Sequence, residues 1–262
     1  MYRNGDTYYT EEHSVSFGDL ITRTSEGRTY VDFNTVANTW TDWHLVPSSR
    51  PSINHPTIVT KFVEIPGADG MLDLTTYLTG KPVYGQRQGT LNFQVANDFE
   101  NWETIRGKIV SVLHGKRLKM RLMDDPNYYY EGRFTVGQWE SGSSNSAISI
   151  TYQLEPYKMG INYEGASPVL WDPFNFETDY DYYVLMSEPI GAGTYYIYAD
   201  DFAFAPVVTR ASGTTTVSFG GVTKTINSSS GPQELGKASS GRNTLTITGS
   251  GTVNVTWRRG AL

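Results

Sequence analysis

Alternation with a period of two constrains this chain more than any other feature. Leu91, Phe93 and Val95 fall on one side of an extended segment while Thr90, Asn92 and Gln94 fall on the other. A strand with one buried and one wet face requires that order. The pattern returns at Leu118, Met120 and Leu122 against Lys119 and Arg121, and again at Ile148, Ile150, Tyr152 and Leu154 against Ser149, Thr151 and Gln153. Strands wet on one side belong to antiparallel sheets.

One segment follows a different period. Phe99, Trp102, Ile105, Ile109 and Leu113 recur every three to four residues, behind an N-cap at Asn97-Asp98 and ahead of Gly115 as a stop. This predicts one amphipathic helix over about 98–114, whose apolar stripe would cover an open sheet face.

At 262 residues the length favours two domains at about 150 residues each. Composition shifts where Glu155-Pro156-Tyr157-Lys158-Met159-Gly160 gives way to Gly165-Ala166-Ser167-Pro168. The expected division is therefore 1–160, a β-sandwich or barrel-like domain with the helix, and 165–262, a small β-sandwich. In the second part, short strands at Tyr195–Ala199, Thr214–Phe219, Val222–Ile226, Thr244–Thr248 and Thr252–Trp257 are separated by Gly- and Ser-rich turns. The expected class is mainly β.

Several chemistries are excluded. Without cysteine there is no thiolate metal cluster, disulfide or cysteine nucleophile, and assembly in a reducing cytoplasm is the expectation. His13, His44, His55 and His114 never take the spacing that puts two imidazoles on one metal; His114, late in the helix, suits the C-terminal dipole. Asp124-Asp125 and Asp200-Asp201 read as turn residues, because neighbours in an extended chain point to opposite faces and cannot flank one bond. Nucleotide-binding glycine motifs and a nucleophile elbow are missing. No metal, cofactor or catalytic residue is expected.

A net charge of −6 gives no cationic field to hold phosphates. No apolar run approaches the ~20 residues that span a bilayer, and Met1-Tyr2-Arg3-Asn4-Gly5-Asp6 leads into no signal-like apolar stretch. Neither membrane insertion nor export is expected.

Residues 40–87 fix geometry instead. Trp40, Asp42, Trp43, Pro47 and Arg50 lead into a Pro66-Gly67 turn, then Asp69, Gly70, Leu72 and Asp73, then Tyr84 and Arg87. Rigid aromatics and Pro-Gly turns restrict the backbone without supplying a nucleophile, base or ligand. They mark a part built into something larger. A second candidate surface is aromatic: Tyr196 and Tyr198 share one strand face, as rings do where sugars stack, with Tyr195, Tyr182 and Tyr183 nearby.

These residues resemble the distal tail proteins of long-tailed, siphovirus-type bacteriophages, a phage tail component family. The resemblance rests on Asn38 to Pro47 with Arg50, on Val63 to Leu74 followed by Tyr84-Gly85-Gln86-Arg87, and on the ending from Gly241-Arg242-Asn243-Thr244 to Leu262. Residues 1–28 are least covered. The resemblance implies a structural virion protein at the tail tip, made in the host cytoplasm. Its first domain would form a hexameric ring with itself, and its second would be galectin-like or carbohydrate-binding-like on the outside. The ring would join the tail tube protein to the tail hub, a tail-associated protein, with DNA passing through an axial channel without being specifically bound. A receptor-binding protein or a host glycan is the further partner it implies, and a glycan-reading adhesin is the alternative function.

Overall fold

The computed structural model describes residues 2–4, 7–9, 11–25, 28–67, 69–95, 102–141, 146–161, 189–199, 204–258 and 260–262. It is mainly β, with one α-helix among the described residues. Two compact units emerge. The first comprises 1–19, 34–158 and Leu262; the second comprises 20–33 and 159–261. The expected boundary near 160–165 runs into residues 162–188, which lie outside the described residues.

The first unit begins with a hairpin of β1 (Tyr2–Asn4) and β2 (Thr7–Tyr9) and a 3-10 turn at Glu11–His13. There follow β3 (Val15–Ser25) and β4 (Arg28–Asn38), whose residues 20–33 group with the second unit, then β5 (Leu45–Pro47), β6 (Phe62–Glu64), β7 (Met71–Asp73), β8 (Arg87–Val95), the helix α1 (Trp102–Leu113), β9 (Arg117–Leu122), β10 (Tyr128–Ser141), β11 (Ser146–Leu154) and, across the division between the units, β12 (Lys158–Gly160). The main sheet runs in the order β4-β3-β9-β10-β11-β8-β5. The predicted alternations form three of its strands: β8 buries Leu91, Phe93 and Val95, β11 buries Ile148, Ile150, Tyr152 and Leu154, and β9 buries Met120 and Leu122.

This sheet closes on itself. Flat, seven strands at about 4.8 Å spacing would hold β4 and β5 about 29 Å apart. Only residues 39–44 join Asn38 to Leu45, and they are folded into a tight turn. Thr39 spans the gap: its N–H donates to the Val15 carbonyl at 3.0 Å, its hydroxyl accepts from the Val15 N–H at 3.0 Å, and its carbonyl accepts from the Leu45 N–H at 2.8 Å. Strand two and strand seven of the order thus meet at one residue. Inside lie Phe17, Trp43, Phe93, Phe134 and Met120, all nearly fully buried, with Phe17 edge-on to Phe134 at 5.1 Å.

The helix covers this core with Ile105, Ile109 and Leu113. Its predicted N-cap and Phe99 lie outside the described residues. Gly115 takes φ +72°, the left-handed conformation that ends a helix. His114 follows the last helical residue, and its Nδ1 accepts the Val136 N–H at 3.3 Å, which ties the helix end to β10.

The second unit contains β13 (Gly193–Ala199), β14 (Val207–Ser212), β15 (Thr215–Phe219), β16 (Val222–Ile226), β17 (Gln233–Glu234), β18 (Gly241–Gly249), β19 (Thr252–Thr256) and β20 (Gly260–Ala261). A four-stranded sheet β13-β18-β15-β16 and a three-stranded sheet β17-β14-β19 share one core, including Ile197, Leu245, Val217 and Phe219 from the first sheet and Val208, Val253 and Val255 from the second. Trp257 stacks on Phe204 at 5.8 Å.

Trp43→Ala should cost about 3–5 kcal/mol of stability in the first unit, the range for emptying a large aromatic site. Denaturant unfolding followed by tryptophan fluorescence measures it, and a cost below about 1 kcal/mol would show that the corner does not seal the core.

Candidate assembly surface

Between β5 and β8 the chain leaves the sheet as a long ribbon. Its two sides are held together by an Ile58–Tyr84 bridge, by the Val59 N–H to the Val83 carbonyl at 2.8 Å, and by the β6–β7 register Phe62–Asp73, Val63–Leu72 and Glu64–Met71. Gly67 and Gly70 both adopt φ +84° around the tip, a conformation open to glycine and strained for other residues. On the return side the Asp73 carboxylate accepts the Thr75 N–H at 2.8 Å, and the Thr75 hydroxyl and N–H hold its pKa below the usual value.

The ribbon has no interior. No described residue between Pro56 and Arg87 is buried. Ten of the fourteen exposed large apolar side chains among the described residues lie between 58 and 83, with Phe62 50%, Met71 61%, Tyr77 78% and Leu78 91% exposed. A two-stranded ribbon without a core is marginal by itself. An apolar patch of this kind on a β edge is the signature of a docking surface.

The root of the ribbon is firm by contrast. Arg87 is 2% exposed and faces carbonyls: its Nε donates to Pro156 O at 2.8 Å, its Nη1 to Asn54 O at 2.9 Å, and its guanidinium lies 5.5 Å from the Tyr130 ring. Burial pushes its pKa down and that of Tyr130 up. Asn54 completes the clamp. Its N–H donates to the Tyr152 hydroxyl at 3.0 Å and its Nδ2 to Gln88 O at 2.8 Å. Gly89 makes room for this, since a Cβ there would lie 2.3 Å from the Tyr152 hydroxyl. Both ends of the ribbon are thereby tied to β8 and β11.

No protein-family model matches the chain, and no curated protein does. Among solved structures it is similar to the Dit (gp 19.1) protein of SPP1, described as a paradigm of the hub adsorption apparatus in phages that infect Gram-positive bacteria. The TM-score is 0.57, with 95% of this chain and 99% of that one covered at 11% identity. The chain has the Dit fold. The resemblance to distal tail proteins therefore holds over both units at the level of architecture.

On the Dit fold the residues singled out in the sequence fall into distinct groups. Trp43 is core, 2% exposed. Asp42 accepts the Asn38 N–H at 2.7 Å, while the Asn38 Oδ1 takes the Trp40 N–H at 2.7 Å, so these residues build the corner around Thr39. Pro47 is buried at the end of β5 opposite Phe93, where its fixed φ and missing N–H help end the strand. Arg50 forms an exposed ion pair with Asp124 at 3.0 Å. Pro66, Gly67, Asp69, Gly70, Leu72 and Asp73 are all exposed on the ribbon, and Tyr84, half-buried near its root, meets Tyr157 edge-on at 6.1 Å. Tyr196 and Tyr198 lie in the second unit on β13. The sequence reading missed Phe62, Tyr77 and Leu78 as exposed and Asn54 and Tyr152 as the clamp. Adjacent apolar pairs such as Ile58-Val59 and Phe62-Val63, lacking wet partners, were the available signal. Among the described residues no group of three histidines or acids could hold a metal ion, and no helix is long and apolar enough to cross a membrane.

Arg87→Met should loosen the ribbon at its root and cost about 2–3 kcal/mol, because the Asn54 and Pro156 carbonyls lose a charged donor. Faster amide exchange across 54–64 and 83–89 checks this; unchanged exchange would contradict the clamp. Because the Asp73 pKa lies below its unfolded value, its contribution is present above the ordinary carboxylate value of about 3.9 and lost as pH falls through the folded one. The Thr75 amide resonance should shift in that acidic range in the wild type and not in Asp73→Asn.

Proposed function

We propose that the chain is a structural subunit of a phage tail tip that assembles with five further copies into a closed ring. The ring joins the tail tube to the tail hub around an axial channel for DNA. The observation that carries this reading is the ribbon: an apolar, coreless hairpin on a clamped root has a stable place only against another surface. Each docked Phe, Leu or Met would contribute about 1.5–3 kcal/mol. A ribbon on one flank of a subunit makes heterologous contacts, and such contacts close into a ring when the rotation per subunit divides the circle.

The Dit fold supports the same place in a virion. The first unit, which carries the ribbon, forms the ring, and the second faces the adsorption proteins. A net charge of −6 suits a conduit, which must let DNA slide and not grip it. The part is built for assembly and not for turnover.

Six copies of the 29.2 kDa chain should elute at about 175 kDa by light scattering coupled to size exclusion, with sixfold rings in negative stain. The double variant Phe62→Asp/Leu78→Asp should elute as a single copy with an unchanged circular dichroism spectrum, since both side chains are exposed in the isolated fold. A wild-type protein that stays single at high concentration would overturn the ring, and rings formed equally by the double variant would overturn the role of the ribbon.

A further inference from the structure

The two faces of the ribbon differ. Phe62 stands opposite Asp73 and Glu64 opposite Met71, and cross-strand partners and residues two apart share one face. That face is a checkerboard, with Phe62 and Met71 on one diagonal and Glu64 and Asp73 on the other. Val63 opposite Leu72 lies on the reverse face, which is the more shielded: they are 38% and 47% exposed, against 50% for Phe62 and 61% for Met71. From Phe62 to Asp73 the charged residues are Glu64, Asp69 and Asp73, all acidic. A surface that covers the checkerboard has to be apolar at its centre, cationic at its sides and flat enough for a ring.

Helix α1 presents such a surface. Ile105, Ile109 and Leu113 turn inward, which puts Gly107 in the middle of the outward face with Val110 and Ser111 one turn on. Glycine is the least favourable residue other than proline inside a helix, and the fold itself does not ask for one here, since a Cβ at Gly107 would meet nothing within 4 Å. Close approach from outside gives the missing side chain a use. Val110, 37% exposed, adds an apolar contact beside it. By helical periodicity Arg106 and Lys108 flank this face on either side, both exposed, with Arg106 held by Glu103 at 2.9 Å. The sizes agree, because about 7 Å separates residues 62 and 64 along a strand and about 6 Å separates Gly107 and Ser111 along a helix. Within one chain the two surfaces do not meet: Phe62, Met71, Gly107 and Val110 are all exposed.

We infer that the checkerboard face of one copy's ribbon docks on the outward face of α1 in the next copy. The Phe62 ring lies against Gly107 and Met71 against Val110, while Glu64 and Asp73 reach Lys108 and Arg106. This rests on the ring reading and names the place on the neighbour that receives the ribbon. One flank that gives a ribbon and another that takes one make the heterologous contact a ring requires.

The absence of cysteine lets the contact be read by cross-linking. Met71→Cys and Ser111→Cys in one chain, treated with a short bis-maleimide, should give a ladder of linked copies on a denaturing gel, whereas either substitution alone should give none. Gly107→Leu should weaken assembly about tenfold or more and leave the circular dichroism of the subunit unchanged, because no atom of its own fold opposes the new side chain. Lys108→Glu should weaken assembly about tenfold, and Glu64→Lys in the same chain should restore it. A ring by light scattering without a ladder, or assembly indifferent to both Gly107→Leu and Lys108→Glu, would overturn the helix as the receiving surface and leave the ring standing. Links formed by Met71→Cys alone would set ribbon against ribbon and overturn it too. A chain that stays single and unlinked would overturn both the docking and the ring.

Discussion

The first unit depends on a single bridging residue. Thr39 uses its N–H, carbonyl and hydroxyl to tie β3 to β5, and it is fully buried while doing so. A twisted sheet of seven strands left open would present two unpaired edges and half of its core to water. Closing it encloses Phe17, Phe93, Phe134 and Trp43 on all sides. The corner that permits this is dense in local hydrogen bonds, with the Asn38 Nδ2 donating to the Ser14 and Ser16 hydroxyls at 3.0 and 2.9 Å and His44 held at φ +52°. Such a conformation in a residue other than glycine persists where its surroundings over-determine it.

Closure also decides where the ribbon begins. β5 is paired to β8, and the ribbon is the chain between them, so both ends emerge from adjacent strands of a finished wall. Arg87 fixes the exit at the cost of desolvating a guanidinium, which neutral carbonyls offset only in part. Rigid root and coreless blade are one arrangement: fixing the root lowers the entropy that docking of the blade would cost.

What could be read in the residues depended on whether local pattern or distant topology set the outcome. β8, β9, β11 and the helix were legible, because each has one wet side and writes its period into the chain. β14 was missed, since only Val208 of its six residues is buried and no alternation results. The long pair β3 and β4 was missed because Gly18 and Asp19 break the pattern in β3 and Asn34, Thr35 and Val36 are consecutively exposed in β4. The grouping of 20–33 with the second unit is a matter of tertiary placement that no local signal carries. Residues 40–87 were read as geometry-fixing as a block, and the sequence did not separate the buried corner from the exposed ribbon, because aromatic and apolar residues serve both. The burial of Arg87 was invisible for a related reason: its partners are main-chain carbonyls, which every residue has. On the second unit the shared parity of Tyr196 and Tyr198 on β13 was legible.

The glycines of the ribbon have a consequence for how such a part diversifies. A side chain at Gly67, Gly70 or Gly80 would meet no atom within 4 Å, so nothing inside the subunit polices the length of these turns. Extra residues could lengthen the blade while the Arg87 clamp and the closed wall stay as they are, the loss scaling only slowly with added length. Reach, and with it the choice of neighbour, can drift by insertion at the far end without renegotiating the fold that holds it.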